Sequence, residues 1–230
     1  MRDLARRLRD KMISRYFRNK NVGPKAHIDR SVHILGWRNI RVGERAVISE
    51  GGCLNVNHRG GLLPSITIGD RCFIGRRNFF SSGKLIQISD FTLTGPDCHF
   101  LGAGHVFDDP SRPYIATGVT RDNIIVVGSN CWLGASVTIV GNVTIGHGSV
   151  VGSRAVVTKS IPPFSLAIGF PALVTKRYDM ISKRWLPAAD FTAQMEAALP
   201  SEQAYLAGLK ELGDVYPPAI AAGYAQGDLP

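Results

Sequence analysis

The sequence has few cysteines and no long apolar run, and each absence excludes a class of protein. Its 230 residues include four cysteines, none in a C-x-x-C pair, which disfavours a disulfide framework or a zinc site of that spacing. No run of about 18 apolar residues is present, so no transmembrane helix is predicted. Residues 1–20 also lack the apolar core of a secretory signal, and together these absences predict a cytoplasmic protein.

Acidic residues are outnumbered by basic ones, and the excess is concentrated near the start of the sequence. Lys and Arg total 27 against 18 Asp and Glu, and residues 1–20 hold eight of the basic side chains. An apolar side chain recurs there at every fourth position: Leu4, Leu8, Met12 and Tyr16. Residues 1–26 are therefore predicted to form a basic amphipathic helix, which either packs on the protein or a neighbouring subunit or attaches to an anionic inner-membrane surface. No nucleic-acid motif accompanies the charge, so no nucleic-acid partner is expected.

The strongest pattern is a spacing of six between aliphatic residues. One run comprises Val127, Leu133, Ile139, Ile145, Val151 and Val157. Shorter runs with the same step cover 28–40, 42–54, 68–86 and 88–100. This spacing fits neither a helix nor a single strand, and it is typical of repeats in which each unit forms one short strand and a turn. The sequence therefore predicts an all-β parallel solenoid.

Two further regularities accompany the spaced residues. Small side chains recur four positions later: Ala46, Cys72, Thr92, Cys98, Cys131, Val137, Val143, Ser149 and Ala155. They predict a second inward position in each unit, with the cysteines as buried reduced thiols. Glycine often follows the spaced residue directly, which suits a tight corner because glycine tolerates positive φ and has no Cβ to crowd the next coil.

The repeats predict a solenoid over 27–178, with helical residues before and after it. Within it, 106–123 interrupts the repeat with Pro, Asp and Gly and is predicted to be an excursion loop. Residues 179–230 are predicted to form a helical extension and a loose tail from Pro217. Two apolar stripes mark its helices: Phe191, Met195 and Leu199, then Tyr205, Leu209 and Leu212.

Two segments, 88–108 and 127–177, resemble the hexapeptide-repeat acyltransferases. The second contains G-S-x-x-V-V-T-K-x-I-P-P followed by G-x-P, and the overall resemblance covers about 28–178. The chain is most similar to sugar O-acetyltransferases of the maltose and galactoside type and to xenobiotic acetyltransferases. The resemblance implies a left-handed parallel β-helix, acetyl-CoA as co-substrate, and a homotrimer with each active site between two subunits.

Transfer of an acetyl group from a thioester to a hydroxyl needs a base, for which histidine is suited. His105 follows the last regular residue before the excursion loop, in G-A-G-H-V-F-D, and the resemblance identifies it as that base. From spacing alone, His105 could equally be a loop residue that caps a turn. His99 is expected to point outward and to contact the acceptor. Asp108 either orients the base, binds acceptor hydroxyls or is merely solvated.

The resemblance also implies a set of residues along a coenzyme A groove: Ala135, Ser153, Thr158, Lys159, Lys176, Trp132 and Pro171. The backbone of Ala135 and Ser153 would hold the pantetheine, and the two lysines would meet the phosphates. Trp132 would flank the thioester, although packing would explain it as well. Phe170 and Leu173 depart from the family pattern, which has a small or amide residue and a basic residue at these positions.

These observations predict an acetyl-CoA-dependent O-acetyltransferase that acts on a saccharide, such as a polysaccharide or glycolipid precursor. A xenobiotic acetyltransferase is the alternative. A metalloenzyme of the γ-carbonic-anhydrase type would need an H-x-x-x-x-H pair, whereas five residues separate His99 from His105, so no metal site is expected. A non-catalytic scaffold is disfavoured by His105 together with the intact T-K-x-I-P-P segment.

Overall fold

The computed structural model describes residue 12 and residues 16–61 and 63–213, which form a parallel β-solenoid of three sheets. Sheet 1 contains β1 (His27–Ile28), β4 (Val47–Ile48), β7 (Phe73–Ile74), β10 (Leu93–Thr94), β13 (Trp132–Leu133), β16 (Val150–Val151) and β18 (Ser165–Ile168), followed by the antiparallel β19 (Leu173–Asp179) and β20 (Arg184–Pro187). Sheet 2 contains β2 (His33–Leu35), β5 (Cys53–Val56), β8 (Phe79–Ser82), β11 (His99–Leu101), β14 (Thr138–Val140) and β17 (Val156–Val157). Sheet 3 contains β3 (Ile40–Val42), β6 (Ile66–Ile68), β9 (Leu85–Ile88), β12 (Ile124–Val127) and β15 (Val143–Ile145).

Each turn of the solenoid visits the three sheets in order and therefore has three corners. The 1–2 corner comprises 29–32, 49–52, 75–78, 95–98, 134–137 and 152–155. The 2–3 corner comprises 36–39, 57–65, 83–84, 102–123, 141–142 and 158–160. The 3–1 corner comprises 43–46, 69–72, 89–92, 128–131, 146–149 and 162–164. Equivalent strands of successive coils pair in parallel, which confirms the predicted solenoid.

The spaced residues form the core, as predicted. All six of the run from Val127 to Val157 are at most 1% exposed, and every small side chain at the second inward position is buried. Phe80 and Phe100 stack in adjacent coils with ring centroids 4.3 Å apart. Because full burial of one aliphatic side chain is worth about 1.5–3 kcal/mol, this continuous column is the main stabilising feature of the fold.

Of the two reasons predicted for glycine at the corners, the absence of a Cβ is confirmed and the need for positive φ is wrong. A Cβ on Gly75 would lie 2.4 Å from the carbonyl oxygen of Gly95, so close stacking of coils excludes any side chain there. Positive φ, however, is adopted two positions later by non-glycine residues such as Arg77 (φ 54°) and Asn130 (φ 53°). The glycines are thus required by contact between coils and not by their own backbone conformation.

The cysteines behave as small buried residues. Cys72, Cys98 and Cys131 are free and buried, while the free Cys53 is only partly buried. Burial raises the pKa of Cys72 and Cys131 to about 12 and that of Cys98 to about 11. These three thiols are therefore uncharged and unreactive at neutral pH.

Little of the predicted N-terminal helix lies within the described residues. Residues 16–21 are helical (α1), and Val22 then pairs in parallel with Val42, before the predicted start of the solenoid at residue 27. Met12 and Tyr16, two members of the apolar stripe, are exposed. The rest of the basic segment, 1–11 and 13–15, and the predicted tail lie outside the described residues. Within the described ranges, no helix is long and apolar enough to cross a membrane.

The C-terminal extension contains α2 (Ala193–Ala197) and α3 (Glu202–Glu211), with Thr192 and Ser201 as N-caps. The extension is fixed to sheet 1 by Arg177, whose guanidinium lies 2.9 Å from Glu196 Oε2 and 4.3 Å from the centre of the Phe191 ring. Helix α3 packs on the 3–1 corner, where Glu202 Oε1 accepts hydrogen bonds from Ser129 N (2.7 Å) and Oγ (3.0 Å).

His147 is not the surface residue that its place in the repeat suggests. Only 7% of it is exposed, and its Nε2 lies 3.1 Å from the carbonyl oxygen of Pro200. Its ring also lies 4.9 Å from that of Phe164 and 5.5 Å from that of Tyr205. The helix that covers His147 comes from more than 50 residues later in the chain, so local sequence could not predict this burial.

Candidate active site

The 2–3 corner carries two long insertions with a tight turn between them. The insertions are 57–65 and the excursion loop, and Gly83–Lys84 is the turn. A Cβ on Gly83 would lie 2.3 Å from the carbonyl oxygen of Gly102, so the coils are in direct contact where the excursion loop begins. Both insertions therefore start from a rigid base.

His105 lies at the root of the excursion loop, just after β11. Its backbone forms an antiparallel bridge with Val119, and Thr120 reinforces this pairing on both sides of Gly104: Gly104 N donates to Thr120 Oγ1 (3.0 Å), and Thr120 N donates to Gly104 O (2.8 Å). The side chain of His105 is exposed, and no other described residue hydrogen-bonds to its ring. A fixed backbone with an accessible imidazole is what a general base requires.

The other insertion contacts the excursion loop through His58, which sequence reasoning did not single out. His58 Nε2 lies 3.3 Å from the carbonyl oxygen of Thr120, and because a carbonyl only accepts, the ring is the donor. Thr120 is in turn bonded to Gly104, the neighbour of His105. His58 thus supports the base of the loop across 62 residues of sequence, a separation at which no local pattern exists.

A polar network lies beside this contact and was also missed. Asn55 Nδ2 donates to Asn57 Oδ1 (2.9 Å), and Asn57 Nδ2 donates to Ser81 Oγ (3.0 Å) and Ser82 O (2.9 Å). Asn55 and Ser81 are in register on the outer face of sheet 2, and Ser81 is in register with Leu101, just before the excursion loop. Amide and hydroxyl groups at this position can hydrogen-bond an acceptor that carries hydroxyls.

The two proposed acceptor contacts lie near this corner. His99 is on β11, faces outward and is half-buried, with its ring 6.3 Å from that of Phe79. Asp108 is an exposed residue of the excursion loop. Its neighbour Asp109 accepts hydrogen bonds from Ser111 Oγ (2.6 Å) and N (3.0 Å), which lower the pKa of the Asp109 carboxyl, so that residue shapes the loop.

The predicted coenzyme A residues lie elsewhere. Ala135 and Ser153 occupy the 1–2 corner in adjacent coils, joined by a bond from Arg154 N to Ala135 O (2.8 Å). Thr158 and Lys159 lie in the last coil at the 2–3 corner, while Pro171 and Lys176 belong to the β18–β19 hairpin; all four are exposed. Sheet 2 separates the 1–2 corner from His105, so a single chain does not bring the histidine and the two backbone contacts together.

Trp132 is 54% exposed on β13, so packing within the chain does not account for it. Phe170 and Leu173 are 82% and 67% exposed beside Pro171. These apolar side chains all lie at the C-terminal end of sheet 1, near the predicted groove, where they offer surfaces for an apolar or aromatic part of a ligand.

The outer faces of sheets 1 and 3 differ in polarity. The outward residues of sheet 1 form an apolar ladder: Val47, Phe73, Leu93, Trp132, Val150 and Leu166. The corresponding ladder of sheet 3 is mainly polar and comprises Arg41, Thr67, Gln87, Val126 and Thr144, while Leu85 and Ile124 form an apolar pair beside it. In the ladder of sheet 1, Trp132 is exposed and the other five members are half-buried, so this ladder is a partly accessible apolar strip, a feature typical of interaction surfaces.

The sequence is similar to those of a transferase family and of several acetyltransferases. Residues 124–159 match the family model described as bacterial transferase hexapeptide (six repeats). A probable acetyltransferase of Mycobacterium tuberculosis is 33% identical over 135 residues, which cover 59% of this chain and 44% of that protein. A candidate acetyltransferase of Staphylococcus aureus (strain COL) is 37% identical over 115 residues, which cover 50% of this chain and 56% of that protein. The chain thus spans about half the length of these curated relatives.

Among solved structures, AntD, an N-acyltransferase from Bacillus cereus in complex with dTDP and 3-hydroxybutyryl-CoA, has a TM-score of 0.58 and 22% identity, over 70% of this chain and 84% of that one. At this identity the likeness shows the β-helix fold alone. Together with the repeat observed in the structure, these matches confirm the resemblance predicted from the sequence: the chain is similar to the hexapeptide-repeat acyltransferases.

Proposed function

We propose that this protein is an acetyl-CoA-dependent O-acetyltransferase that acts on a saccharide, with His105 as the general base. The observation that carries the proposal is the exposed imidazole at the root of the excursion loop, at the same edge of sheet 2 as the amides and hydroxyls of Asn55, Asn57 and Ser81. In this mechanism His105 removes the proton from the acceptor hydroxyl as the oxygen attacks the thioester carbonyl, and then returns it to the departing thiolate. His99 and Asp108 lie on the acceptor side.

We propose that acetyl-CoA lies across the C-terminal coils of the solenoid, from the 1–2 corner to the β18–β19 hairpin and the last 2–3 corner. Backbone groups of Ala135 and Ser153 would bind the pantetheine, Thr158 would support it, and Lys159 and Lys176 would meet the phosphates. Trp132 would flank the thioester end of acetyl-CoA and Pro171 its adenine end. The exposed ring of Phe170 offers a face on which the adenine can stack. AntD has been solved in complex with coenzyme A and with 3-hydroxybutyryl-CoA, which supports a groove of this kind in the fold.

We propose that the active site is completed in a homotrimer of left-handed β-helices. Two observations support it: sheet 2 separates His105 from Ala135 and Ser153, and the described residues only half-bury the apolar ladder of sheet 1, where Trp132 is 54% exposed. A threefold arrangement in which sheet 1 of one subunit packs near the 2–3 corner of the next would cover the ladder and unite the two half-sites. The division into 1–26, 27–178 and 179–230 belongs to the same proposal.

We also propose a cytoplasmic location with attachment to the inner membrane surface through residues 1–20, motivated by their positive charge and apolar stripe. Deletion of residues 1–20 should abolish co-sedimentation with vesicles that contain anionic phosphatidylglycerol. Equal sedimentation of the full and shortened chains would contradict this part of the proposal.

The central test is the release of coenzyme A from acetyl-CoA in the presence of neutral sugars, amino sugars, oligosaccharides and aminoglycosides. We expect turnover with a saccharide hydroxyl, lost in His105→Ala and kept in His33→Ala, a matched change at the first coil of sheet 2. An aminoglycoside as the only acceptor would support the xenobiotic alternative. Turnover by His105→Ala at the wild-type rate would refute the role of this residue.

The shared site can be tested by mixing two inactive variants. Ser153→Trp blocks the coenzyme A half of the site, and His105→Ala removes the base. Because each site in a mixed trimer draws on two subunits, random co-assembly should restore activity to about one quarter of sites. Absence of any recovery in mixed oligomers would place both halves on one chain.

A further inference from the structure

A groove of about 500 Å³ lies at the opposite edge of sheet 3 from the His105 corner, between the first turns of α3 and the outer face of this sheet. Thr67, Gln87 and Ser89 line it from the solenoid, and Glu202, Gln203 and Leu206 line it from α3. Its volume is within the range of about 300–1,000 Å³ that is usual for small-molecule sites. Its helical wall is held in place by the bonds from Ser129 to Glu202 and by the rings of Tyr205, His147 and Phe164.

The groove does not offer a strand-pairing site. Its floor is made by β6 and β9, and each of these strands is already paired on both sides, with β3 and β12 as the outer partners. Because the backbone donors and acceptors are used, only side chains are available to a ligand, and a peptide could not bind by adding a strand.

The two carboxylates at the groove, Asp90 and Glu202, already have hydrogen-bond or ion-pair partners within the chain. Asp90 Oδ1 accepts a hydrogen bond from Asp70 N (2.9 Å), and its Oδ2 lies 3.3 Å from Lys210 Nζ. Glu202 Oε1 is committed to both donors of Ser129. A cationic ligand would therefore compete with existing partners, and an anionic ligand would meet two carboxylates. These contacts favour a neutral ligand.

The groove also contains neutral amide and hydroxyl groups that are not fully hydrogen-bonded within the described chain. Gln87 Nε2 makes one long contact, 3.4 Å to Ser89 Oγ, and Thr67 Oγ1 is buried without a partner among the described residues. Leu206 adds an apolar wall. A site of amides and hydroxyls with one aliphatic surface suits a ring that carries hydroxyls at its rim and C–H groups on its face.

From this combination we propose that the groove is a second, non-catalytic binding site for a neutral saccharide unit. The strands β6 and β9 run from the 2–3 corner to the groove, so the outer face of sheet 3 connects it with the edge from which His105 projects. A glycan of several units could be held here while another unit is modified. The proposal concerns binding only and does not require the acetyl transfer to be correct.

The test is saturation-transfer NMR with maltotriose, cellotriose and triacetylchitotriose as probes, and spermidine as a cationic comparison. We expect transfer to at least one trisaccharide, and an affinity lowered about fivefold or more in Gln87→Ala, since one neutral hydrogen bond contributes about 1 kcal/mol. Gln194→Ala, the same change on α2 outside the groove, should bind as the wild type does. A thermal melt of each variant verifies that it is folded.

The outcomes separate this proposal from the catalytic one. Binding retained in His105→Ala, with activity lost, would support both. No transfer to any of the three trisaccharides, transfer to spermidine alone, or equal affinity of Gln87→Ala and wild type would overturn the saccharide groove, whatever the activity measurements show.

Discussion

Two histidines at neighbouring corners of the solenoid have opposite environments. His147, at the 3–1 corner, is buried beneath the C-terminal extension, with a backbone oxygen at one ring nitrogen and aromatic rings on its sides. His105, at the 2–3 corner, has a fixed backbone and an exposed ring. Both corners join short parallel strands of the same repeat. The difference arises because the C-terminal extension covers His147, whereas no described segment covers the ring of His105. One corner is covered and contributes to stability, whereas the other leaves an imidazole accessible to a ligand.

The largest effect is expected on the acetyl-transfer rate when each of these two histidines is replaced by glutamine. His105→Gln should lower the acetyl-transfer rate by about 10²–10⁴-fold, the contribution of a positioned general base, and leave the melting temperature unchanged. His147→Gln should leave the rate per folded molecule unchanged. Initial rates and thermal melts of both variants check this, and a stability loss in His105→Gln without a rate loss would reverse the comparison.

His147→Ala should destabilise the protein by about 2–4 kcal/mol, because it leaves a cavity between Phe164 and Tyr205 and removes the partner of the Pro200 carbonyl. Urea unfolding followed by circular dichroism measures the change in the free energy of unfolding. His33→Ala, an exposed histidine on β2, is the control and should change it by less than about 0.5 kcal/mol. Equal values for the two variants would mean that the extension contributes no stability at this corner.

Gly75→Ala tests the coil contact that all corners share. Its new Cβ would lie 2.4 Å from Gly95 O, so we expect a loss of about 1–3 kcal/mol in the free energy of unfolding. Gly60→Ala, in the insertion 57–65, meets no atom within 4 Å and should be nearly neutral. A neutral Gly75→Ala would show that the coils can separate locally at low cost.

The smallest effect is expected for His58, which supports the excursion loop from the neighbouring insertion. His58→Ala should lower kcat about fivefold to tenfold and leave the KM for acetyl-CoA unchanged, because it removes one hydrogen bond to Thr120 O and loosens the root of the loop. His58→Gln, whose amide can donate to the same oxygen, should restore most of the rate. Failure of glutamine to rescue, or a change in KM alone, would argue against a positioning role.

The sequence was sufficient to identify the core and the position of His105. The spaced aliphatic residues from Val127 to Val157 and the cysteines at 72, 98 and 131 are buried as their positions predicted. The reason given for the corner glycines was partly wrong, since close contact between coils and not φ excludes a side chain at Gly75. The predicted crowding of the next coil is confirmed, whereas only the structure shows that positive φ falls two residues later, at Arg77 and Asn130.

The amino-acid pattern by itself determined which side chains face inward, because strand alternation and a constant coil length repeat the same environment every six residues. Only the tertiary structure decided which corner is covered and which is open. The contacts responsible join His58 to Thr120 across 62 residues and Ser129 to Glu202 across 73. Such contacts depend on where distant loops and helices return to the solenoid, and no short-range periodicity in the chain encodes that position.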